Sequence, residues 1–266
     1  MRHAVMLGSR RLSYLEAGHP AGRVLVLLHA FPLTAQMWLP QLLAPPDGWR
    51  LIAPDLAGLG STDDHDSEPP VLDDYVSDVT ALLDRLEIRR AHIGGLSLGG
   101  YTALAVARMA PDRVDGMVLA DTKAPADTAE GRAARDRLIA TLDAGGPDAV
   151  AAEMLPRLVG ATTGREQPEV LAEIRSQIGL NGVTGIRRAI LRLRDRPDAT
   201  PGLTSIAVPT LVIVGDEDVT TPVADAEFLA EQIPDSRLEI IAGAGHLSNL
   251  ERPEAFTAAL TRFLAP

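Results

Sequence analysis

Residues 94–100 read Gly-Gly-Leu-Ser-Leu-Gly-Gly, one hydroxyl among four glycines. An apolar run ending "RAHIGGLS" leads into them and the helix-forming "YTALAVARMA" follows. Glycine surrenders more backbone entropy than any other residue, so four in seven positions need a geometric reason. A Gly-x-Ser-x-Gly turn between a strand and a helix supplies one. The chain reverses so sharply that Gly95 and Gly99 cannot carry bulk, and Ser97 is pushed out over the strand end as a nucleophile. A helix starting at Leu98 directs its free amides and positive dipole end at the same point. The chemistry this suits is acyl transfer.

A serine hydroxyl attacks only when a base takes its proton and a third group holds that base. For a serine on such an elbow the partners follow in the order acid, then histidine. Of six histidines only His246 lies downstream, in the Gly-rich turn "GAGHLSN" after the run "RLEIIAG". His3, His19 and His65 sit in terminal or polar segments, and His92 reads as a core residue of the elbow strand. For the acid, "PTLVIVG" ends in "DEDVTTP". Asp218 lies past the strand end and is the choice; Asp216 shapes the turn, and Asp121, at the end of the preceding strand, is the alternative. The developing oxyanion needs donors. The N–H of Leu98 is one, and the loop "HAFPL" offers the N–H of Phe31 as the other, since Pro32 has none. His29 and, in "APDLAGLGST", Asp55 read as loop braces.

These side chains need a scaffold that brings strand ends together. Short, nearly continuous apolar runs at residues 23–29, 49–55, 90–97, 114–121, 209–216 and 237–243 predict strands covered on both faces. Amphipathic stretches at 72–87, 98–110, 223–232 and 253–263 predict helices between them. The alternation predicts an α/β fold, a mostly parallel central sheet with helices on both faces, and ligands bind at the carboxyl ends of such strands. Between Thr122 and Ile206 the rhythm breaks into helix-like segments only. The expected organisation is a core of residues 1–121 and 207–266 with a helical cap at 122–206.

Composition narrows the partners. With 25 basic and 36 acidic residues the formal net charge is -11, which argues against nucleic acid or an anionic membrane as a partner. There is no cysteine, which excludes thiolate nucleophiles and cysteine–zinc sites, and Lys123 is the only lysine. No phosphate-binding loop or metal cluster is legible, so neither a cofactor nor a metal is expected. The N-terminus lacks the apolar stretch of a signal peptide, and the expected location is the cytoplasm.

In their order and spacing, "HAFP", "APDLAGLGST", "GLSLGG", "VIVGDEDVTTP" and "GAGHLSNLERPEAF" resemble the serine hydrolases of the α/β-hydrolase superfamily over nearly the whole chain. Family members often read His-Gly in the first motif, where this chain has His29-Ala30. Within the superfamily, "GLSLGG" with "HLSNLERPEAF" is similar to 3-oxoadipate enol-lactonases and related small carboxylesterases. The resemblance implies a cofactor-free hydrolase of small esters or lactones. Haloalkane dehalogenases and epoxide hydrolases of the superfamily carry aspartate where Ser97 stands. Two other uses of the same residues stay open: a ligand-sensing protein with slow turnover, and a lyase or perhydrolase. Arg187, Arg188, Arg192 and Arg194 read as a solvated helix face. An enol-lactonase-like substrate carries a carboxylate, however, and Arg188 and Arg192, four apart, are the pair to bind it.

Overall fold

In a computed structural model the chain is described over residues 1–265. Eight strands form one sheet: β1 (Arg2–Leu7), β2 (Arg10–Gly18), β3 (Arg23–Leu28), β4 (Trp49–Pro54), β5 (Ala91–Leu96), β6 (Val114–Ala120), β7 (Thr210–Gly215) and β8 (Ser236–Ile241), in the order β1-β2-β4-β3-β5-β6-β7-β8. β3 to β8 run parallel, while β1 and β2 are antiparallel neighbours at one edge. The six apolar runs correspond to β3–β8. Every residue of β5 and β7 is buried, as strands covered on both faces require.

The β1–β2 hairpin has no counterpart in the sequence reading. β1, "RHAVML", alternates exposed and half-buried positions and includes no fully buried residue. An edge strand of that kind leaves no continuous apolar run to find.

Ten helices accompany the sheet: α1 (Leu39–Leu43), α2 (Asp73–Arg85), α3 (Leu98–Met109), α4 (Ala129–Leu158), α5 (Ala161–Glu166), α6 (Pro168–Gly179), α7 (Val183–Arg194), α8 (Val223–Gln232), α9 (Ser248–Glu251) and α10 (Pro253–Leu264). Four of them, α4–α7, fill the gap between β6 and β7; α4 is broken at Gly146, whose φ of 67° lies in the left-handed region that glycine tolerates. They pack on one another through Leu138 and Leu142 of α4, Ile174 and Ile178 of α6 and Ile186 and Ile190 of α7, all buried. No helix among the described residues is long and apolar enough to cross a membrane.

The arginines of α7 correct the reading of a solvated face. Arg187 and Arg194 make exposed pairs with Asp143 and Asp136, and Arg188 Nη1 reaches the exposed Glu68. The Arg192 side chain is fully buried: its Nη2 donates to Asp64 Oδ1 at 2.7 Å and Asp74 Oδ2 at 2.8 Å, and its guanidinium lies 4.8 Å from the centre of the Tyr75 ring. Arg188 Nε donates to Asp64 Oδ2 at 2.7 Å and Nη2 to the carbonyls of His65 and Ser67. The pair therefore latches α7 to the loop before α2 and to the first turn of α2, and is spent there, so neither is free for a substrate carboxylate. Burial opposes ionisation of Asp64 and Asp74, but the Arg192 guanidinium outweighs it and holds both carboxyls below the usual range. Burial takes the Tyr75 hydroxyl up to about 12.

Arg192→Met should leave Asp74 without its cation and Asp64 with Arg188 alone, and should cost about 3 kcal/mol at neutral pH. Because the folded pKa values are depressed, this contribution is complete above the unfolded carboxyl pKa of about 4 and fades as pH falls through the lower folded values. Urea unfolding of the two proteins should therefore differ most near pH 7 and converge in acid.

Candidate active site

The turn at Ser97 follows from close approach of backbones. A Cβ on Gly95 would lie 2.1 Å from the carbonyl carbon of Gly99, and one on Gly99 would lie 2.0 Å from the carbonyl oxygen of Leu28 in β3. On Gly100 it would lie 2.5 Å from Thr122 Oγ1, whose hydroxyl donates to the Ser97 carbonyl at 3.0 Å. Between these glycines Ser97 has φ 54° and ψ -111°, a conformation that a non-glycine residue adopts only when its surroundings impose it.

Ser97, His246 and Asp218 come from the ends of β5, β8 and β7 and meet in one hydrogen-bonded line. Ser97 Oγ lies 2.9 Å from His246 Nε2, and His246 Nδ1 lies 2.8 Å from Asp218 Oδ2. A carboxylate only accepts, so the network assigns the ring proton to Nδ1 and leaves Nε2 to accept from the serine hydroxyl. Asp218 is itself held by the N–H groups of Thr220 (2.7 Å) and Thr221 (3.0 Å) and by the Thr221 hydroxyl at 2.7 Å. Burial works against its charge, but the His246 ring and these donors more than offset that, and its pKa is lowered.

Asp121, the alternative acid, is turned to another task. Its Oδ1 accepts from the Gly215 N–H at 2.9 Å and its Oδ2 from the Ser248 hydroxyl, with no hydrogen bond to His246. Complete burial, reinforced by the charge of Asp218, pushes its carboxyl well above the usual range. Asp216 accepts from Gly243 N–H and ties the β7 turn to the β8 turn.

Neither the Phe31 nor the Leu98 N–H has an acceptor among the described residues. The loop carrying Phe31 is braced on all sides. Ala30 N–H donates to Met37 Sδ and Leu33 N–H to the Ala30 carbonyl. His29 Nε2 accepts from Leu56 N–H at 2.9 Å, so its Nδ1 carries the proton that is donated to the Ala30 carbonyl; burial lowers its pKa. Asp55 accepts from Ala35 and Ser61 N–H. His92, packed edge-on against Trp49, is a core residue that burial holds neutral, its pKa lowered to about 4.

Three residues that serve the site escape a reading of the sequence. Thr221 supports Asp218 from the polar run "DVTTP". Asn181, in the "LNG" break between α6 and α7, donates to the Pro32 carbonyl at 2.7 Å and accepts from Gly60 N–H. Glu251 accepts from Leu247 N–H, beside His246, and from Gly160 N–H at the start of α5. The only signal for the last two is a polar residue at a break or beside a motif, because Pro32, Gly60 and Gly160, which they reach, are far away in sequence.

A cavity of about 240 Å³ opens over Ser97, Phe31 and His246. Leu138, Met154 and Leu158 give it an apolar wall, and Lys123, Arg135 and Arg157 face it with one acid, Asp127. Such a site can present a hydroxyl, a base and two free N–H groups to a carbonyl carbon.

The sequence matches the family described as alpha/beta hydrolase fold over residues 23–253. It is 30% identical to 3-oxoadipate enol-lactonase 2 of Acinetobacter baylyi over 253 residues, 94% of this chain and 91% of that one. Among solved structures, a thermophilic esterase from Thermogutta terrifontis with malate bound superposes with a TM-score of 0.92 at 34% identity, covering 99% of this chain and 98% of that one. The enol-lactonase from Burkholderia xenovorans gives 0.91 at 29% identity, with 99% and 100% covered. The chain belongs to the alpha/beta hydrolase fold family, and it is a hydrolase.

The elbow generates a contrast between two glycines. Gly99→Ala must displace the β3 backbone and should destabilise the protein by more than about 3 kcal/mol, beyond ordinary overpacking. Gly164→Ala, in α5 with nothing within 4 Å of the added methyl, should be neutral or stabilising by up to about 1 kcal/mol. Unfolding midpoints of the two variants check this.

Proposed function

We propose that the protein hydrolyses small carboxylic esters or lactones through an acyl-enzyme on Ser97. The single observation that supports this most is the hydrogen-bonded line from Ser97 Oγ through His246 to Asp218 beneath a cavity. The Ser97 oxygen attacks the carbonyl carbon as its proton passes to His246 Nε2. The oxyanion forms against the N–H groups of Phe31 and Leu98. Collapse of the tetrahedral species breaks the ester C–O bond, and His246 returns its proton to the leaving oxygen. Water then enters, loses a proton to His246 and releases the acid, restoring Ser97. Asp218 keeps the ring proton on Nδ1 and stabilises the imidazolium between steps. Residues 122–206 act as the cap that closes the site and sets substrate choice.

The charges of the cavity support a narrower substrate class. Asp127 is taken up by Arg135 at 3.0 Å and Arg196 at 2.6 Å, whereas Lys123 and Arg157 have no carboxylate partner among the described residues. Asp225 feels the field of Lys123 without pairing with it. In a chain of net charge -11, two unpaired cations beside Ser97 favour a substrate whose acyl part carries a carboxylate. The names of the relatives agree: an enol-lactonase of 3-oxoadipate and an esterase holding malate.

A fluorophosphonate probe should label one residue, and Ser97→Ala should abolish labelling and lower kcat by roughly 10⁶-fold. Asp218→Asn should lower kcat by about 10⁴-fold, whereas Asp121→Asn should leave most of it; the reverse ranking would move the acid to β6. Sustained turnover of p-nitrophenyl esters separates this reading from a sensor that stalls after one cycle.

Lys123→Ala should raise KM for acidic esters or lactones about tenfold, the loss of one charge-assisted hydrogen bond, and spare neutral esters. Equal effects on acidic and neutral substrates would refute the assignment of Lys123.

A further inference from the structure

The sheet has two edges, and they differ in what they offer a second chain. β8, at one of them, bonds to β7 alone. The Asp235 carbonyl accepts from Thr210 N–H and the Ile241 carbonyl from Asp216 N–H. Backbone direction alternates along a parallel pair, so Arg237 and Glu239 also turn their N–H and C=O groups toward β7. Ser236, Leu238 and Ile240 turn theirs outward, where no group among the described residues bonds them. The strand, "SRLEII", has neither a proline nor a bulge to keep that edge single. Arg237 is exposed, and Ile240 is 48% exposed.

The side chains of β8 suit a second copy of itself. Two copies related by a two-fold axis pair antiparallel, and the outward groups of one must meet the outward groups of the other. Only two positions of the axis, at Leu238 and at Glu239, then overlap five residues of the six-residue strand. With the axis at Glu239 two like charges face each other. With the axis at Leu238, Arg237 faces the partner's Glu239, and Glu239 faces the partner's Arg237. Both pairs fall at the close, non-hydrogen-bonded positions, where opposite charges attract. Leu238 meets its own copy, and Ile240 meets the partner's Ser236. Arg237 has no carboxylate partner among the described residues, and Glu239 has only an exposed pair with Arg262 at 3.0 Å, a kind worth little in water. β1, at the other edge, contains no acidic residue, so no axis gives it opposite charges, and its Arg2 is held by Asp55 at 2.7 Å.

We propose that β8 is a dimerisation edge. A second copy of this chain adds its own β8 antiparallel, with Leu238 on the two-fold axis, and the two sheets become one. The strand pairing is short, and contacts of that size make reversible rather than permanent complexes. The proposal does not depend on the reaction proposed for Ser97.

Sedimentation equilibrium of the full chain, from micromolar to submillimolar concentration, tests it and should show monomer and dimer in exchange. Arg237→Glu and Glu239→Arg each set like charges across the axis twice, and each should weaken the dimer about tenfold with little change in unfolding midpoint. Mixed in equal amounts, the two variants should associate at least as well as the unaltered chain, because each supplies the charges that the other lacks. That rescue arises only if position 237 of one copy faces position 239 of the other. Leu238→Pro removes an outward N–H, leaves the bonds to β7 in place and should abolish the dimer; if it fails to fold, the mixed pair decides. A monomer at every concentration, a dimer indifferent to both charge reversals, or a mixture no better than its components would each overturn the proposal.

Discussion

The contact on which the site depends is between backbones: α3 starts so close to β3 that the Leu28 carbonyl occupies the space of a Gly99 side chain. This approach forces the chain at Ser97 to reverse in a single residue. It also sets the first N–H groups of α3 opposite the loop that leaves β3, where Phe31 lies. The position of the hydroxyl and the positions of the two free donors are thus one constraint, since the same packing of α3 on β3 and β5 fixes both. The strain at Ser97 is sustained by the fully buried strand beneath it and by Thr122, which holds the Ser97 carbonyl from the next strand.

Around this point the loops hold one another. Asp121 joins the end of β6 to β7 and to Ser248, just past His246; Asp216 joins the β7 and β8 turns; Glu251 joins the His246 loop to the start of α5. Asn181 reaches from the α6–α7 junction to the Pro32 carbonyl. The α4–α7 segment is therefore bonded to two of the loops that carry the site and, through Arg188 and Arg192, to the loop before α2. Buried ion pairs and hydrogen bonds to backbone thus tie it to the core at three separate places.

Charge is distributed against the average. A strongly acidic chain concentrates Lys123, Arg135 and Arg157 around the cavity over Ser97, with Asp127 as the counter-charge shared by Arg135 and Arg196. In a low-dielectric cleft such a grouping acts on ligands more strongly than the distant surface charge does.

Much of this was legible in the chain itself. Apolar runs marked the six parallel strands, most sharply β5 and β7, where burial on both faces leaves little room for polar residues. The glycines at 95 and 99 marked the elbow, because no other residue survives that backbone contact. Chain order singled out His246 and Asp218, which the structure brings to Ser97. The β1–β2 hairpin was not legible: β1 is a half-exposed edge that imposes little on its side chains, and the buried stretch of β2, Leu12 to Leu15, is short and interrupted by Ser13. Nor were the partners of the arginines. Helical spacing put Arg188 and Arg192 on one face, but whether that face met solvent, substrate or Asp64 and Asp74 was decided by which loop lay opposite. The same holds for Lys123, Asn181, Glu251 and Arg196. Each is a single polar residue whose task is defined by atoms tens or hundreds of positions away, and only folding brings those atoms within reach.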